Sequence, residues 1–219
     1  MLKTREWPEL AGGIRIAYHD NVQAEWNLGF VMGEVGGGVY SLFDCSGRDV
    51  LDVGAYFGET AVWFSKNGAR RVIAVEPLSS FDFIAINAAE NGCDNIIPRR
   101  ACIAGTVGKV WVSAEENTGG SHVEDFAGNI GIRAETIESL ATKFDLNDAI
   151  LKMDVEGAEY DAILGTPRDV IRRFQFVMME VHYFAGDPGQ IYDYFVRNGF
   201  KIQVHPSGDG YSMLYAELG

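Results

Sequence analysis

Three carboxylates crowd the junction between an apolar strand and a helix in the stretch LKMDVEGAEYDAILG. Asp154, Glu156 and Glu159 stand around Gly157, although mutual repulsion and desolvation both oppose such crowding. One interpretation is that these acids favour the positive end of the following helix dipole. The other is that they form a site, in which Lys152 of the preceding strand neutralises one carboxylate and a bound sulfonium offsets another.

A second ionisable pair, Glu180 and His182, ends the next predicted strand. Ligands of parallel sheets bind beyond the carboxyl ends of the strands, so both groups of residues are expected at one edge. We therefore predict that Asp154, Glu156 and His182 are catalytic. His182 is the first candidate for a general base because the unperturbed pKa of histidine lies near neutrality, and Glu156 is the second.

Two alternatives stay open for these side chains. His182 could be an ordinary strand-end histidine whose hydrogen bonds are satisfied within the fold. Asp154, Glu156 and His182 could also hold Mg²⁺, which prefers oxygen ligands. The sequence has no fixed ligand spacing, so we assign no metal ligand and predict that a metal is not required.

The run DVLDVGAYFGET predicts a cofactor turn. Gly54 follows a buried strand and Gly58 precedes a helix, which lets the backbone turn sharply and a ligand approach closely. Glu76 follows about 20 residues later, the spacing of an acid that binds ribose hydroxyls. Tyr56 replaces the second glycine of a dinucleotide fingerprint, and Asp52 would repel a pyrophosphate but suits a cationic ligand such as S-adenosylmethionine. An ordinary tight turn is the structural alternative.

Alternating strands and helices must position these residues. Periodicity predicts strands in residues 49–55, 71–77, 96–104, 109–114, 149–155 and 174–182, and helices in residues 59–69, 79–92, 137–144, 158–165 and 187–199. This alternation implies an α/β fold with a mostly parallel, doubly wound sheet, and residues 200–218 predict a C-terminal antiparallel hairpin. Residues 1–47 are glycine-rich and are expected to be an irregular extension of strands or turns that packs on the core of residues 48–219.

Composition limits the partners and the compartment. The 219 residues carry a net charge of −13, which disfavours nucleic acid and anionic lipid. No stretch of eighteen residues is free of charge, so we predict no membrane span. Three widely spaced cysteines and the lack of an apolar signal core predict a reduced, cytoplasmic protein. A homodimer stays open.

Four stretches together resemble the FkbM-type S-adenosylmethionine-dependent methyltransferases. They are LDVGAYFGETAVWFSKNGA, VIAVEP, NAAENG and LKMDVEGAEYDAILG, and the resemblance extends over about residues 49–182. The K-x-D-x-E-G-x-E run is specific to that family, whereas the D-x-G-x-x-x-G turn is shared by class I methyltransferases. The resemblance implies a Rossmann-like sheet of seven strands with the methyl donor across its carboxyl edge.

The resemblance also implies positions for the donor. Glu76, followed by Pro77, would hold the ribose hydroxyls, with Asp52, Gly54, Ala55, Tyr56 and Gly58 around the methionine and ribose. Ala101, Cys102 and Ile103 would border the adenine, and Asp154 would lie closest to the reacting methyl group. Two features depart from the family pattern: Tyr56 stands where members often have Asn, and His122 is inserted in the loop GGSHV.

These observations predict an S-adenosylmethionine-dependent methyltransferase that methylates a hydroxyl of a small molecule or saccharide. A non-catalytic module that only binds the donor is one alternative, and a nicotinamide-dependent oxidoreductase is another. The first would keep Gly54 and Glu76 but lose the acids at residues 154 and 156. The second would need a better phosphate-binding turn.

Overall fold

The computed structural model describes residues 2–10, 12–112, 130–207 and 210–219. The chain divides into two compact units, residues 1–100 and 101–219. His122 and the last two residues of the predicted strand 109–114 lie outside the described residues.

The first unit begins with an antiparallel hairpin and continues as alternating strands and helices. Its elements are β1 (Leu2–Trp7), β2 (Ile14–His19), α1 (Val22–Gly36), a 3₁₀ turn (Val39–Ser41), β3 (Asp49–Val53), α2 (Glu59–Lys66), β4 (Arg71–Val75), α3 (Phe81–Glu90) and β5 (Ile96–Arg99). Strands β3, β4 and β5 pair in parallel in that order. Val53 lies opposite Val75, so both strands end at the same edge, immediately before Gly54 and Glu76.

Helix α1 shows that the expectation of an irregular N-terminal segment is wrong for residues 22–36. Asn21 caps the helix, since its side chain accepts a hydrogen bond from the Ala24 N–H. One face of the helix buries residues at helical spacing, which are Ala24, Leu28, Met32 and Val35. The glycines along the helix obscure this pattern, because each lowers helix propensity by about 1 kcal/mol. Burial of the apolar face outweighs that cost.

The second unit contains a small three-stranded sheet and the remaining strands of the main sheet. Its elements are β6 (Cys102–Ile103), β7 (Gly108–Val112), β8 (Ile130–Glu135), α4 (Ile137–Lys143), β9 (Ala149–Met153), α5 (Glu159–Leu164), α6 (Arg168–Ile171), β10 (Phe174–His182), α7 (Pro188–Arg197), β11 (Phe200–Pro206) and β12 (Tyr211–Leu218). β9 and β10 are parallel, and β12 runs antiparallel to both β10 and β11. The predicted C-terminal hairpin is therefore confirmed.

The predicted fold class is confirmed as a Rossmann-like α/β arrangement. The three parallel strands of the first unit and the four strands β9 to β12 of the second make up the predicted seven. The predicted strand 96–104 is instead two strands, β5 and β6, because Arg100 and Ala101 interrupt it. Among the described residues, no helix combines the length and apolar character needed to cross a bilayer. The division at residue 47 stays a prediction.

Candidate active site

The turn between β3 and α2, residues 54–58, has three residues in left-handed backbone conformations and is called the glycine turn below. Gly54, Tyr56 and Gly58 have φ angles of +78°, +48° and +88°. The N–H groups of Gly54 and Ala55 both donate to the Val75 carbonyl, each at 3.0 Å. These bonds tie the start of the turn to the neighbouring strand, and the positive φ angles explain the spacing of the two glycines.

Tyr56, which stands where family members often have Asn, is held in place by packing. A left-handed φ is several-fold more common for Asn than for most other residues, so Tyr56 occupies a strained position. Its ring packs on Phe57 at a centroid distance of 4.0 Å, and its hydroxyl shares a hydrogen bond with Asn27 of α1. Burial, with the charge of Glu59 adding, raises the pKa of Tyr56 to about 12. Packing against its neighbours therefore holds the tyrosine in place.

Glu76 is buried at the end of β4 and braces the glycine turn. Its Oε2 accepts a hydrogen bond from the Tyr56 N–H at 3.0 Å, and its Oε1 accepts one from the Leu78 N–H at 2.9 Å. A carboxylate has about four lone-pair sites, and these two amides orient the group. Glu76 is thus suited to accept hydrogen bonds from a pair of ligand hydroxyls. Pro77 accepts a hydrogen bond from Arg100 Nε through its carbonyl, at 3.4 Å.

Asp52 and Ala55 are fully buried. The Thr60 hydroxyl donates to Asp52 Oδ2 at 2.7 Å, which anchors the first turn of α2. Thr60 was not singled out in the sequence, although a hydroxyl eight residues after a strand aspartate is the signal that could have found it. Contact of Asp52 with the donor stays a prediction.

Ala101, Cys102 and Ile103 belong to the second unit and are buried. Cys102 and Ile103 form β6, which pairs in parallel with Ala134 and Glu135. The role of these residues at an adenine ring stays a prediction.

The turn between β9 and α5, residues 154–159, is called the acidic turn. Glu156 has a φ of +52° and Gly157 a φ of +105°, so a charged residue occupies a left-handed position next to a glycine. A Cβ on Gly157 would lie 3.1 Å from both Ala185 Cβ and Phe184 Cε2. The glycine is therefore required both by its φ angle and by the close approach of the loop after β10.

Glu159 joins the acidic turn to the end of β10. Its Oε2 accepts a hydrogen bond from the Gly157 N–H at 2.8 Å. Its Oε1 accepts one from the His182 N–H at 2.8 Å and lies 3.1 Å from His182 Nδ1. The side chain is completely buried, so this carboxylate fixes the turn and orients the imidazole. The sequence left Glu159 undecided between a helix cap and a site residue, because its partner lies 23 residues away.

His182 lies among the carboxylates of the second unit. Its Nε2 is 3.5 Å from Glu156 Oε2 and 3.5 Å from Glu180 Oε2. Polar atoms of Asp154, Glu180 and His182 all lie within 4.8 Å of one another. The three predicted catalytic residues therefore meet in one cluster, together with Glu180 and Glu159.

Burial and charge shift the acid–base properties of this cluster. Burial raises the pKa of Glu156 and the charge of Asp154 raises it further, with His182 opposing. Burial alone would lower the pKa of His182, but the hydrogen bond and charge of Glu159, with the neighbouring carboxylates, raise it above its ordinary value. Glu156 and His182 therefore hold their protons more tightly than isolated side chains would.

The solved structures most similar to this chain include several methyltransferases. A precorrin-6y C5,15-methyltransferase from Geobacter metallireducens is 13% identical, with 84% of this chain and 87% of that chain covered and a TM-score of 0.51. A ribosomal protein L11 methylase from Lactobacillus delbrueckii subsp. bulgaricus is 17% identical, with coverage of 84% and 76% and a TM-score of 0.51. An rRNA methylase from Streptococcus thermophilus is 10% identical, with coverage of 84% and 93% and a TM-score of 0.50. At such identities the likeness shows a shared fold, and the exclusion of nucleic acid stays a prediction.

A comparison with curated proteins finds no significant match. The family model described as the methyltransferase FkbM domain matches residues 52–202, well over half of the chain. The matched range contains the glycine turn, the acidic turn and His182. The chain therefore belongs to the FkbM methyltransferase family, whose methyl donor is S-adenosylmethionine and whose chemistry carries no requirement for a metal.

Proposed function

We propose that this methyltransferase transfers the methyl group of S-adenosylmethionine to a hydroxyl oxygen of a small molecule or saccharide. The observation that carries the proposal is the conformation of Glu156. This residue is held at a left-handed φ, its side chain is 41% exposed, and its carboxylate lies 3.5 Å from an imidazole that Glu159 orients. Strained backbone of this kind clusters at active sites, where the surroundings enforce it.

The geometry supports Glu156 as the proton acceptor and His182 as a positioning residue. His182 was the first candidate for the base, but its side chain is only 8% exposed and its Nδ1 already faces Glu159. Glu156 is the more accessible group. In the proposed reaction an oxygen lone pair of the acceptor forms the C–O bond, the C–S bond breaks, and S-adenosylhomocysteine leaves. The proton of the hydroxyl goes to Glu156.

The donor is assigned to the residues that the sequence predicted. Glu76 would accept hydrogen bonds from the ribose hydroxyls, and the residues of the glycine turn with Asp52 and Pro77 would surround the rest of the ribose and the methionine. Residues 101–103 would border the adenine, and Asp154 the reacting methyl group. The brace between Glu76 and the Tyr56 N–H supports this assignment, because it holds the acid and the turn as one unit.

The acceptor is proposed to be small or saccharide because of the charge of the chain. A net charge of −13 repels a phosphate backbone, whereas RNA-binding surfaces are strongly basic. An RNA substrate is the competing outcome, since similar structures include an RNA methylase.

The test is methyl transfer from labelled S-adenosylmethionine to a panel of hydroxylated small molecules, saccharides, tRNA and rRNA, with the methylated atom located by NMR. For the best acceptor, Glu156→Gln should lower the single-turnover rate by about 10²–10⁴-fold, the usual contribution of a general base. Donor affinity should stay unchanged. Glu138→Gln, an exposed glutamate in the first turn of α4, is the matched control and should be fully active. Transfer to RNA alone, or full activity of Glu156→Gln, would contradict the proposal.

A further inference from the structure

We propose that Asp154, Glu180 and His182 form a binding site for a divalent cation of the Mg²⁺ and Mn²⁺ class. Each of the three residues offers one ligand atom, and these atoms lie within 4.8 Å of one another. Asp154 follows β9, whereas Glu180 and His182 end the neighbouring strand β10. Two of the three ligands therefore lie on a strand, and the third directly follows the strand paired with it, which limits their movement.

The orientation of His182 favours a metal ligand. Glu159 Oε1 lies 3.1 Å from His182 Nδ1 and also accepts the His182 N–H at 2.8 Å, so Nδ1 carries a hydrogen toward this carboxylate. In the neutral ring, Nε2 then carries the lone pair that is available to a cation. Histidines that bind metals almost always donate their second N–H to such an outer carboxylate, which fixes the ring and the tautomer. Glu159 fills this outer role and is not itself a ligand.

An independent observation concerns Asp154. Its Oδ1 is buried and has no hydrogen-bond partner among the residues that the structure describes. A buried carboxylate oxygen without a donor is costly, and a cation is a ligand that would satisfy it. Glu180 and His182 are each 7% exposed, so solvent has little access to these two side chains.

The ligand set indicates the kind of cation. Two carboxylates with one imidazole suit a cation that accepts oxygen and nitrogen ligands together, as Mn²⁺ does, whereas the soft thiolate ligands that select Cu(I) are absent from this group of residues. Mg²⁺ and Mn²⁺ commonly keep part of their shell for water or substrate oxygens. A hydroxyl of the acceptor could take such a position.

This placement deepens the proposed function and rests on it. A cation that binds the acceptor hydroxyl lowers the pKa of that hydroxyl, which eases transfer of its proton to Glu156. The family itself carries no metal requirement.

The test is titration of the chelator-treated, full-length chain with Mn²⁺, followed by electron paramagnetic resonance and calorimetry. One saturable Mn²⁺ per chain is expected, with Mg²⁺ as a competitor. Glu180→Gln and Asp154→Asn should each weaken Mn²⁺ binding by tenfold or more, and Glu159→Gln by about 10–100-fold through loss of the outer hydrogen bond. Glu138→Gln should bind as the unchanged chain does.

Melting curves without Mn²⁺ identify any variant that fails to fold. Asp154 is partly exposed, so Asp154→Asn is expected to fold even if the variants at buried positions do not. No saturable binding up to millimolar Mn²⁺, or binding that Glu180→Gln and Asp154→Asn both retain at full strength, would overturn the site. Methyl transfer is assayed separately, with and without Mn²⁺. If the unchanged chain binds no Mn²⁺ but still transfers the methyl group to a hydroxyl, the metal site alone is overturned. If it binds Mn²⁺ but transfers the methyl group to no hydroxyl, the proposed function alone is overturned.

Discussion

The glycine turn and the acidic turn share one backbone plan. In each, a residue other than glycine adopts a left-handed φ, +48° at Tyr56 and +52° at Glu156, with a glycine of positive φ close by. In each, a glutamate carboxylate accepts an N–H of the turn, from Tyr56 at 3.0 Å and from Gly157 at 2.8 Å. A tight turn after a parallel strand is therefore braced twice in the same way.

The side chains at the left-handed positions make the two turns different. Tyr56 packs its ring on Phe57, and the turn leaves its brace, Glu76, as the acid able to meet a ligand. Glu156 instead presents its own carboxylate, part exposed and facing His182, while the brace Glu159 is completely buried. The same backbone arrangement thus fixes a buried acid beside the turn in one unit and presents a charged group of the turn itself in the other. We propose that the first of these acids binds a neutral pair of hydroxyls.

The largest difference between the two turns is expected when Glu159, the buried acid of the acidic turn, is removed. Glu159→Ala should lower the free energy of unfolding by about 1–3 kcal/mol for each of the two N–H donors, on Gly157 and His182, that lose their acceptor. Methyl transfer should fall by about 10²-fold or more because the imidazole loses its orientation. Urea unfolding and single-turnover rates measure both effects. If Glu159→Ala is as stable and as active as Glu138→Gln, Glu159 neither fixes the turn nor orients His182, and it acts only as a charge at the end of the helix.

Removing the other brace should act on the donor. Glu76→Ala should weaken binding of S-adenosylmethionine by about 1.5–3 kcal/mol, the range for hydrogen bonds to a charged group. Calorimetry on the folded variant measures the loss, and Glu90→Ala, at the exposed end of α3, is a control. Unchanged donor affinity in Glu76→Ala would remove the ribose assignment and leave Glu76 as a purely structural brace.

Glycine at the left-handed positions should separate strain from function. Glu156→Gly should raise the free energy of unfolding by about 1 kcal/mol, because the left-handed conformation no longer costs energy, while abolishing most methyl transfer. Tyr56→Gly should lower stability, since the packing on Phe57 is lost as well. Glu156→Ala, which removes the charge but keeps the strain, is the control. If Glu156→Gly and Tyr56→Gly change the free energy of unfolding and methyl transfer equally, the two turns do not differ in this way.

The smallest effect concerns a carboxylate that is fully paired, in contrast to the acidic turn. Asp49 is buried and receives hydrogen bonds from Arg70 at 2.6 and 2.9 Å and from Arg71. Burial raises the pKa of Asp49, but both arginines outweigh this and lower it overall. Its contribution to stability is therefore present above about pH 4, the unfolded value, and is lost as the pH falls through the lower folded pKa.

Urea unfolding at pH 7 and at pH 3 measures this contribution. Asp49→Asn should lower the free energy of unfolding by up to about 1 kcal/mol at pH 7, a small effect because solvent screens the partly exposed arginines. The variant should also lose less stability than the unchanged chain as the pH falls below 4. If the free energy of unfolding of Asp49→Asn still falls below pH 4 as steeply as that of the unchanged chain, other carboxylates cause the loss of stability in acid.

The sequence predicted the parts of the molecule that depend on local pattern. Apolar runs located β3, β4, β9 and β10, and the spacing of Gly54 and Gly58 located the first turn. Residues 154, 156 and 182 were predicted to lie together because they end neighbouring strands, and the structure places them together. Each of these inferences needs only the strand period and the rule that parallel strands end at one edge.

What the sequence did not show depends on contacts that are distant in the chain. The role of Glu159 requires His182, and helix α1 is recognisable by its buried face rather than by propensity. The strain at Tyr56 and Glu156 is also invisible in the sequence, because neither residue type favours a left-handed φ.

Asn87 has a consequence for where the chain can be cut. This fully buried amide on α3 accepts the Ala17 N–H at 2.7 Å and donates to the Ala17 carbonyl at 3.0 Å and the Phe57 carbonyl at 2.8 Å. It pairs with β2 as another strand would, and it holds the glycine turn with the same side chain. A fragment that began at residue 48 would leave this amide half unsatisfied beside the turn. The first 47 residues thus support the glycine turn from within the fold. Proteolytic cleavage after α1 should therefore give no stable, smaller methyltransferase.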